Sequence, residues 1–310
     1  MGEGSDRADG GTVPVQGGGT DAATGAFVAH RALLFTVAYE MLGSAADAED
    51  VLQETWLRWV NVDLGQVREP RAYLVRIATR QAIDRLRTLS RRREAYVGPW
   101  LPEPLLTAPD VAENVELAES VSMAMLLVLE TLAPVERAVF VLREVFELDY
   151  GEIAEAVGKS PAAVRQIAYR ARGHVAARRP RTATSPAETR AALEAFRHAV
   201  ASGDLQTLID ILAPEVVYLG DGGGARQATP RPVVGAGDVA RLLVLGLPTL
   251  DGAFLETVQI NGCPALLVRR GEEVDGVVTM RVENGLVTAF YSVRNPEKLA
   301  HVERETALSR

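Results

Sequence analysis

The chain has 310 residues, 47% of them hydrophobic, with a formal net charge of −8. That supplies apolar material for two or three compact domains, while one cysteine and four histidines provide neither an intramolecular disulfide nor a zinc-ligand spacing. No stretch approaches roughly twenty uncharged apolar residues, and the N-terminus lacks the basic start and apolar core of a secretory signal, so a soluble cytoplasmic protein without a membrane span is expected.

Residues 1–25 contain eight glycines and no aromatic side chain, the composition of a disordered tail. From Phe27 to Leu42 apolar residues recur at helical spacing, and Gly43 ends the pattern with Ser44 placed to cap the next helix. That second helix is predicted over Asp47 to Val60. A third starts at Pro70, a favourable first helical residue, and runs to about Arg93. These make one helical domain, 26–94. The proline-rich stretch 95–116, with Trp100-Leu101-Pro102-Glu103-Pro104, reads as an extended linker. A second helical domain is expected over 117–180.

After the linker-like TATSPAE at 182–188 the pattern changes. Two short helices are predicted over 187–201 and 204–212. Apolar runs at 216–219, 265–268, 276–282 and 286–293 then read as strands of a meandering antiparallel sheet, with a hairpin at Asn284-Gly285. The segment 187–310 is thus an α+β domain.

Charge is unevenly distributed. Nine arginines lie between Arg68 and Arg93 against Glu69 and Asp84, and six lie between Pro161 and Arg181 with no acid. Twelve acids against three bases separate them, from Gly98 to Ser160. Two basic islands point to two contacts with a polyanion, which the net charge alone would argue against.

The second island lies in the strongest local signal. Ile153, Ala154 and Val157 bury a short helix, Gly158 supplies a turn, Ser160 caps and Pro161 opens the next helix. There Val164, Ile167, Ala168, Ala171 and Val175 form the apolar stripe. Arg165, Gln166, Tyr169, Arg170 and Arg172 are left facing outward, as in a helix-turn-helix whose second helix enters a major groove.

This motif resembles region 4 of the sigma-70 family, in its compact extracytoplasmic-function (ECF) type. The first domain resembles region 2. The helix from Asp47 to Trp59 is similar to the one that grips the β′ clamp of core RNA polymerase, which assigns Asp47, Asp50, Gln53, Glu54 and Trp56 to that contact. The helix from Pro70 to Arg87 resembles the one that reads the melted −10 element. Tyr73, Arg76, Arg80, Arg85 and Arg87 would hold its phosphates and bases, although Tyr73 also lies on the apolar stripe. Asp84 is expected to pair within the helix with Arg80, Arg87 or both. The five outward residues of the helix-turn-helix would read the −35 element.

The C-terminal segment resembles the cone-shaped SnoaL-like, NTF2-like domain fused to one ECF subgroup. Three motifs carry this: Trp100, Leu101, Pro102, Glu103 and Pro104; Asp221, Gly222, Gly223 and Gly224; and Asn295, Pro296, Glu297, Lys298 and Leu299. The resemblance implies a sigma factor that binds core polymerase, including its β subunit, and promoter DNA. Its appended domain would dock on the linker and regulate in cis, with Trp100 as an exposed anchor for an apolar pocket. No cofactor or metal is expected, and a small-molecule ligand of that domain stays open. Two other readings compete. One is an enzyme using Asp221, Asp238, Glu256, His198 or His301, which shows no His–Asp pairing. The other is a helix-turn-helix regulator with a sensing domain, which leaves the first basic island unexplained.

Overall fold

The computed structural model describes residues 17–108, 111, 114–179, 185–202, 204–246 and 252–310. Its N-terminal half is built of helices α1 (Gly17–Leu42), α2 (Ala45–Trp59) and α3 (Pro70–Glu94), then α4 (Val115–Val121), α5 (Met123–Leu129), α6 (Pro134–Phe140), α7 (Tyr150–Val157) and α8 (Pro161–Ala176). The α1 helix begins ten residues before the predicted Phe27, so residues 17–25 are not the disordered tail expected; residues 1–16 lie outside the described part. The cause is tertiary. Trp59 Nε1 donates to the Ala23 carbonyl at 2.8 Å, and Ala23 is buried beside it. By length and composition part of α1 is apolar enough to cross a membrane, but Leu33, Leu34, Val37, Ala38, Met41 and Leu42 are buried in the core. It is the central helix of a packed bundle.

The two helical domains share one core. A single apolar cluster runs from Leu34 and Trp59 through Leu74 and Leu105 to Leu126, Phe140, Ile153 and Ile167. Helix ends obey the predicted signals: Gly43 and Gly158 adopt left-handed φ of +66°, and Ser44 and Ser160 cap α2 and α8.

Beyond residue 185 come α9 (Pro186–Ser202), α10 (Leu205–Asp210), β1 (Leu212–Asp221), β2 (Val233–Val234), α11 (Ala236–Gly246), β3 (Phe254–Ile260), β4 (Cys263–Arg270), β5 (Glu273–Glu283) and β6 (Leu286–Val293). Strands β4 to β6 form the predicted antiparallel meander, with β3, which lies outside the predicted runs, added at its edge; β1 pairs in parallel with β6, so the sheet is mixed, in order β2-β1-β6-β5-β4-β3. The long excursion between β1 and β6 brings β1 in beside the last strand, where a parallel register is the one that fits. Helices α9 to α11 cover one face around Phe196, Leu266 and Phe290. The other face packs on the helical half through Leu101, Met123, Ile260, Leu267 and Val277.

The β3–β4 turn plunges into that junction. Asn261 and Gly262 take left-handed φ of 54° and 70°. Asn261 Nδ2 donates to Tyr39 Oη at 2.6 Å and to the Val121 carbonyl at 2.8 Å, while its Oδ1 accepts from Leu105 N at 2.9 Å. A Cβ on Gly262 would stand 2.7 Å from that of Ala118. Gly262→Ala is therefore expected to destabilise the chain by about 2–4 kcal/mol in urea unfolding, backbone strain adding to overpacking. Gly271→Ala, with equally positive φ but open surroundings, should cost about 1 kcal/mol.

Candidate functional site

The surface of α8 is open. Arg165, Gln166, Tyr169, Arg170 and Arg172 are all exposed, Tyr169 at 77%. Arg172 is steadied by Glu144 at 3.2 Å and by Tyr150 Oη at 2.9 Å, and Arg170 lies 3.8 Å from Glu136. The stripe beneath them, Val164, Ile167, Ala168, Ala171 and Val175, is buried as predicted.

The arginines of α3 are not open in the same way. Arg80 donates to the carbonyls of Glu155 at 2.7 Å and Ala156 at 3.2 Å, on the first helix of the helix-turn-helix. Arg76 lies 4.5 Å over the Tyr73 ring and 3.4 Å from Glu155. Arg85 reaches Asp47 and Asp50 on α2, at 2.6 and 2.5 Å. Of the two partners expected for Asp84, the structure supplies Arg87 at 2.7 Å, whereas Arg80 turns to α7 instead. Tyr73 is half-buried, its ring 5.7 Å from that of Trp59. On α2, Gln53 and Glu54 are exposed, while Trp56 packs 5.3 Å from Phe27.

The three short motifs converge on one point, Asp221. Its carboxylate is 1% exposed and accepts four hydrogen bonds: from Tyr96 Oη at 2.6 Å, Leu101 N at 2.9 Å, Gly223 N at 3.1 Å and Lys298 Nζ at 2.7 Å. Lys298 also donates to the Leu101 carbonyl at 2.5 Å and sits 4.0 Å over the Trp100 ring. Asn295 donates from Nδ2 to Tyr96 Oη at 2.7 Å and caps the turn through Glu297 N. The glycines are needed for closeness, because a Cβ on Gly222 would meet the Arg226 carbonyl at 2.1 Å and one on Gly223 the Asn295 side chain at 2.4 Å. Burial, and after it the bond to Asp221, pushes the Tyr96 hydroxyl well above its ordinary range.

Trp100 departs from expectation. It is half-buried, laid against Gly43 and beneath the Lys298 ammonium, rather than seated in an apolar pocket. The anchor is Leu101, fully buried in the apolar junction. Indole above an ammonium is a favourable cation–π contact, and the aliphatic neighbour fills the pocket better. Glu103 faces the opposite way. Its carboxylate accepts from Ser44 Oγ at 2.7 Å and from the Ala45 and Ala46 amides at 2.7 and 3.2 Å, at the N-terminus of α2.

Tyr96 and Asn261 escaped the sequence reading. Asn261-Gly262 carries the same turn signal as Asn284-Gly285, but nothing local shows that its tip is inserted into another domain. Glu40 and Arg137 also belong to this junction and were missed. Glu40 Oε1 accepts from Ser120 Oγ at 2.7 Å, and its backbone carbonyl accepts from Arg137 Nε at 3.0 Å. Burial raises the Glu40 carboxyl to about 7 and lowers the Arg137 guanidinium to about 9.

Two family models match the chain: Sigma-70 region 2 over residues 26–92 and Sigma-70, region 4 over residues 122–175. The ECF RNA polymerase sigma factor SigJ of Mycobacterium tuberculosis is 37% identical over 288 residues, 88% of this chain and 91% of that one. The probable ECF RNA polymerase sigma factor SigI of the same species is 31% identical, covering 92% and 97%. The crystal structure of SigJ superposes with a TM-score of 0.72 at 34% identity, covering 90% of this chain and 98% of that one.

Because Glu40 ionises near 4.5 when unfolded and near 7 in the fold, its contribution is complete below pH 4.5 and is lost as pH rises through 7. Glu40→Gln should leave stability flat over that range and exceed the parent by about 1–3 kcal/mol at pH 8, read by urea unfolding across pH. Asp221→Asn, which strands Lys298, should cost about 3–5 kcal/mol in the same measurement.

Proposed function

The chain belongs to the ECF sigma factors of the sigma-70 family, and from that premise we propose a promoter-recognising subunit held shut by its own third domain. Sigma factors bind core RNA polymerase and promoter DNA and are not enzymes. The finer assignments rest on the chemistry of each surface. In this reading region 2 spans about 26–94, region 4 about 117–180 and the SnoaL-like domain 187–310. Arg165, Gln166, Tyr169, Arg170 and Arg172 read the −35 duplex, the arginines as forks for guanine edges or phosphates and Gln166 as a partner for adenine. Tyr73, Arg76, Arg80, Arg85 and Arg87 take the melted −10 strand, which needs cations for phosphates and a ring for unstacked bases. Asp47, Asp50, Gln53, Glu54 and Trp56 meet the β′ clamp, and region 4 meets the β subunit. Such a factor works in the cytoplasm, where polymerase and DNA are.

One observation supports the cis restraint above others. The linker is held on both edges, Leu101 N to Asp221 and Glu103 to the start of α2. With region 4 folded back so that Arg80 caps carbonyls of α7, the two DNA-reading surfaces cannot separate by the tens of Å that two elements a helical turn or more apart require. Tethering makes such docking effective at modest affinity. Of the candidates in the enzyme reading, His301 lies 4.0 Å from Glu103 rather than beside Asp221, Asp238 or Glu256. Asp238 pairs with Arg241 and Glu256 with Arg269, both at 3.1 Å, while Asp221 is sealed under Lys298.

Run-off transcription with purified core polymerase tests this. The full chain and a form ending near Thr182 should differ in promoter-specific initiation; failure of both forms at every promoter would overturn the sigma reading. Trp100→Ala should alter the full chain more than the shortened one, and equal effects would count against docking. Arg165→Ala with Arg170→Ala should weaken −35 duplex binding by roughly ten-fold or more, on the scale of about 1–3 kcal/mol per base contact, with polymerase binding intact.

A further inference from the structure

The exposed face of α8 leans on one residue of the helix before it. The chain leaves α6 through a single π turn, Val141–Val145, closed by Phe146 N on the Val141 carbonyl at 3.3 Å. That turn brings Arg143 and Glu144 beside the start of α7, whose first turn is fixed where Asp149 N donates to Glu152 Oε2 at 3.1 Å. Tyr150, the first residue of α7, is half-buried against the helical core. Three guanidinium groups meet it. Arg143 lies 4.7 Å from the ring centroid and is itself held by Nη1 on the Leu148 carbonyl at 2.9 Å. Arg165 lies 6.0 Å from the same centroid. Arg172 donates to the Tyr150 hydroxyl at 2.9 Å, while Glu144 stands 3.2 Å from its Nε.

Arginine has much rotamer freedom to lose, so one that already waits in place binds its target at a smaller entropic cost. Arg165 and Arg172 stand about two helical turns apart on one face of α8, and Tyr150 reaches both. We propose that Tyr150 is a positioning residue for promoter recognition: its ring holds Arg165, and its hydroxyl holds Arg172, in the arrangement that meets the −35 duplex. This rests on the reading of α8 as the helix that enters that duplex, and adds to it a residue outside the recognition helix. Arg170 is placed differently, 3.8 Å from Glu136, and serves as an internal control.

The test uses the full chain. Its probe is the duplex most enriched by the parent from a library with a random centre of about 12 base pairs, roughly one helical turn, beside a scrambled duplex of the same composition. Binding is followed by fluorescence anisotropy at one fixed salt concentration. Tyr150→Phe keeps the ring and removes the partner of Arg172, so it should weaken binding to the enriched duplex roughly 3- to 10-fold. It should add no loss in an Arg172→Ala background and its full loss in an Arg170→Ala background. Tyr150→Leu removes both contacts; it should cost more than Tyr150→Phe, and its effect should vanish only when Arg165 and Arg172 are both alanine. It should also lower the ratio of enriched to scrambled affinity, as Arg165→Ala does, whereas a chain that only folds less well loses both duplexes alike. Additive losses from Tyr150→Phe and Arg172→Ala would overturn the proposal, as would an unchanged affinity ratio in Tyr150→Leu. Losses from Arg165→Ala and Arg172→Ala with none from either Tyr150 variant would overturn positioning alone. No enriched sequence, or no loss from either arginine variant, would overturn the −35 reading and positioning with it.

Discussion

A carboxylate sealed from water must be answered in full, and Asp221 sets that demand at the centre of this molecule. Four donors converge on it from three separate parts of the chain: Tyr96 and Leu101 of the linker, Gly223 of its own turn, and Lys298 near the C-terminal end. None can be withdrawn cheaply, because a buried ion left without its partner costs several kcal/mol. The pair adds less net stability than its length suggests, since both ions paid desolvation to enter. What it adds is register: with Lys298 also on the Leu101 carbonyl and over Trp100, the linker can lie on the third domain in one way only.

That constraint propagates because the linker has two edges. Leu101 is held by the sheet domain, and two residues later Glu103 caps α2, which presents Asp50, Gln53 and Glu54 to solvent. Asn261 does the same from the other side, joining linker, α1 and the end of α4 through one amide. The third domain and the acidic helix are thus joined through a short, twice-anchored stretch of linker. The arginines of α3 are drawn into the same arrangement. Arg85 is paired with Asp47 and Asp50, and Arg80 is hydrogen-bonded to carbonyls of α7. The acids of α2 and the basic face of α3 thus meet through Arg85, and α3 meets α7 through Arg80.

Much of this was legible in the sequence, and for identifiable reasons. Helix and turn identity is governed by residues within a few positions of each other, so Gly43 and Gly158 marked the ends of α1 and α7, and Ser44, Ser160 and Pro161 the starts of α2 and α8. The buried stripe of α8 and its outward polar face come from a single period, and the basic islands from a count. Asp221, Leu101 and Lys298 were singled out through motif resemblance, yet the long stretches of chain between them carried no sign that they meet. Where packing overrode local pattern, the reading fell short. Ala23 extends α1 backward because Trp59 reaches it, and β1 lies parallel to β6 because the intervening strands leave only that edge.

Sequence alone determined the kinds of element, their order, the charge of each surface and the family to which they belong, because these depend on composition and short-range spacing. Tertiary structure decided which groups are engaged: it left the outer face of α8 exposed, tied Arg76, Arg80 and Arg85 of α3 to α7 and α2, turned Trp100 from a pocket anchor into a ring against Lys298, and made Asn261 a joint between domains. Those outcomes depend on burial and on partners brought together from distant positions, and no local pattern encodes either.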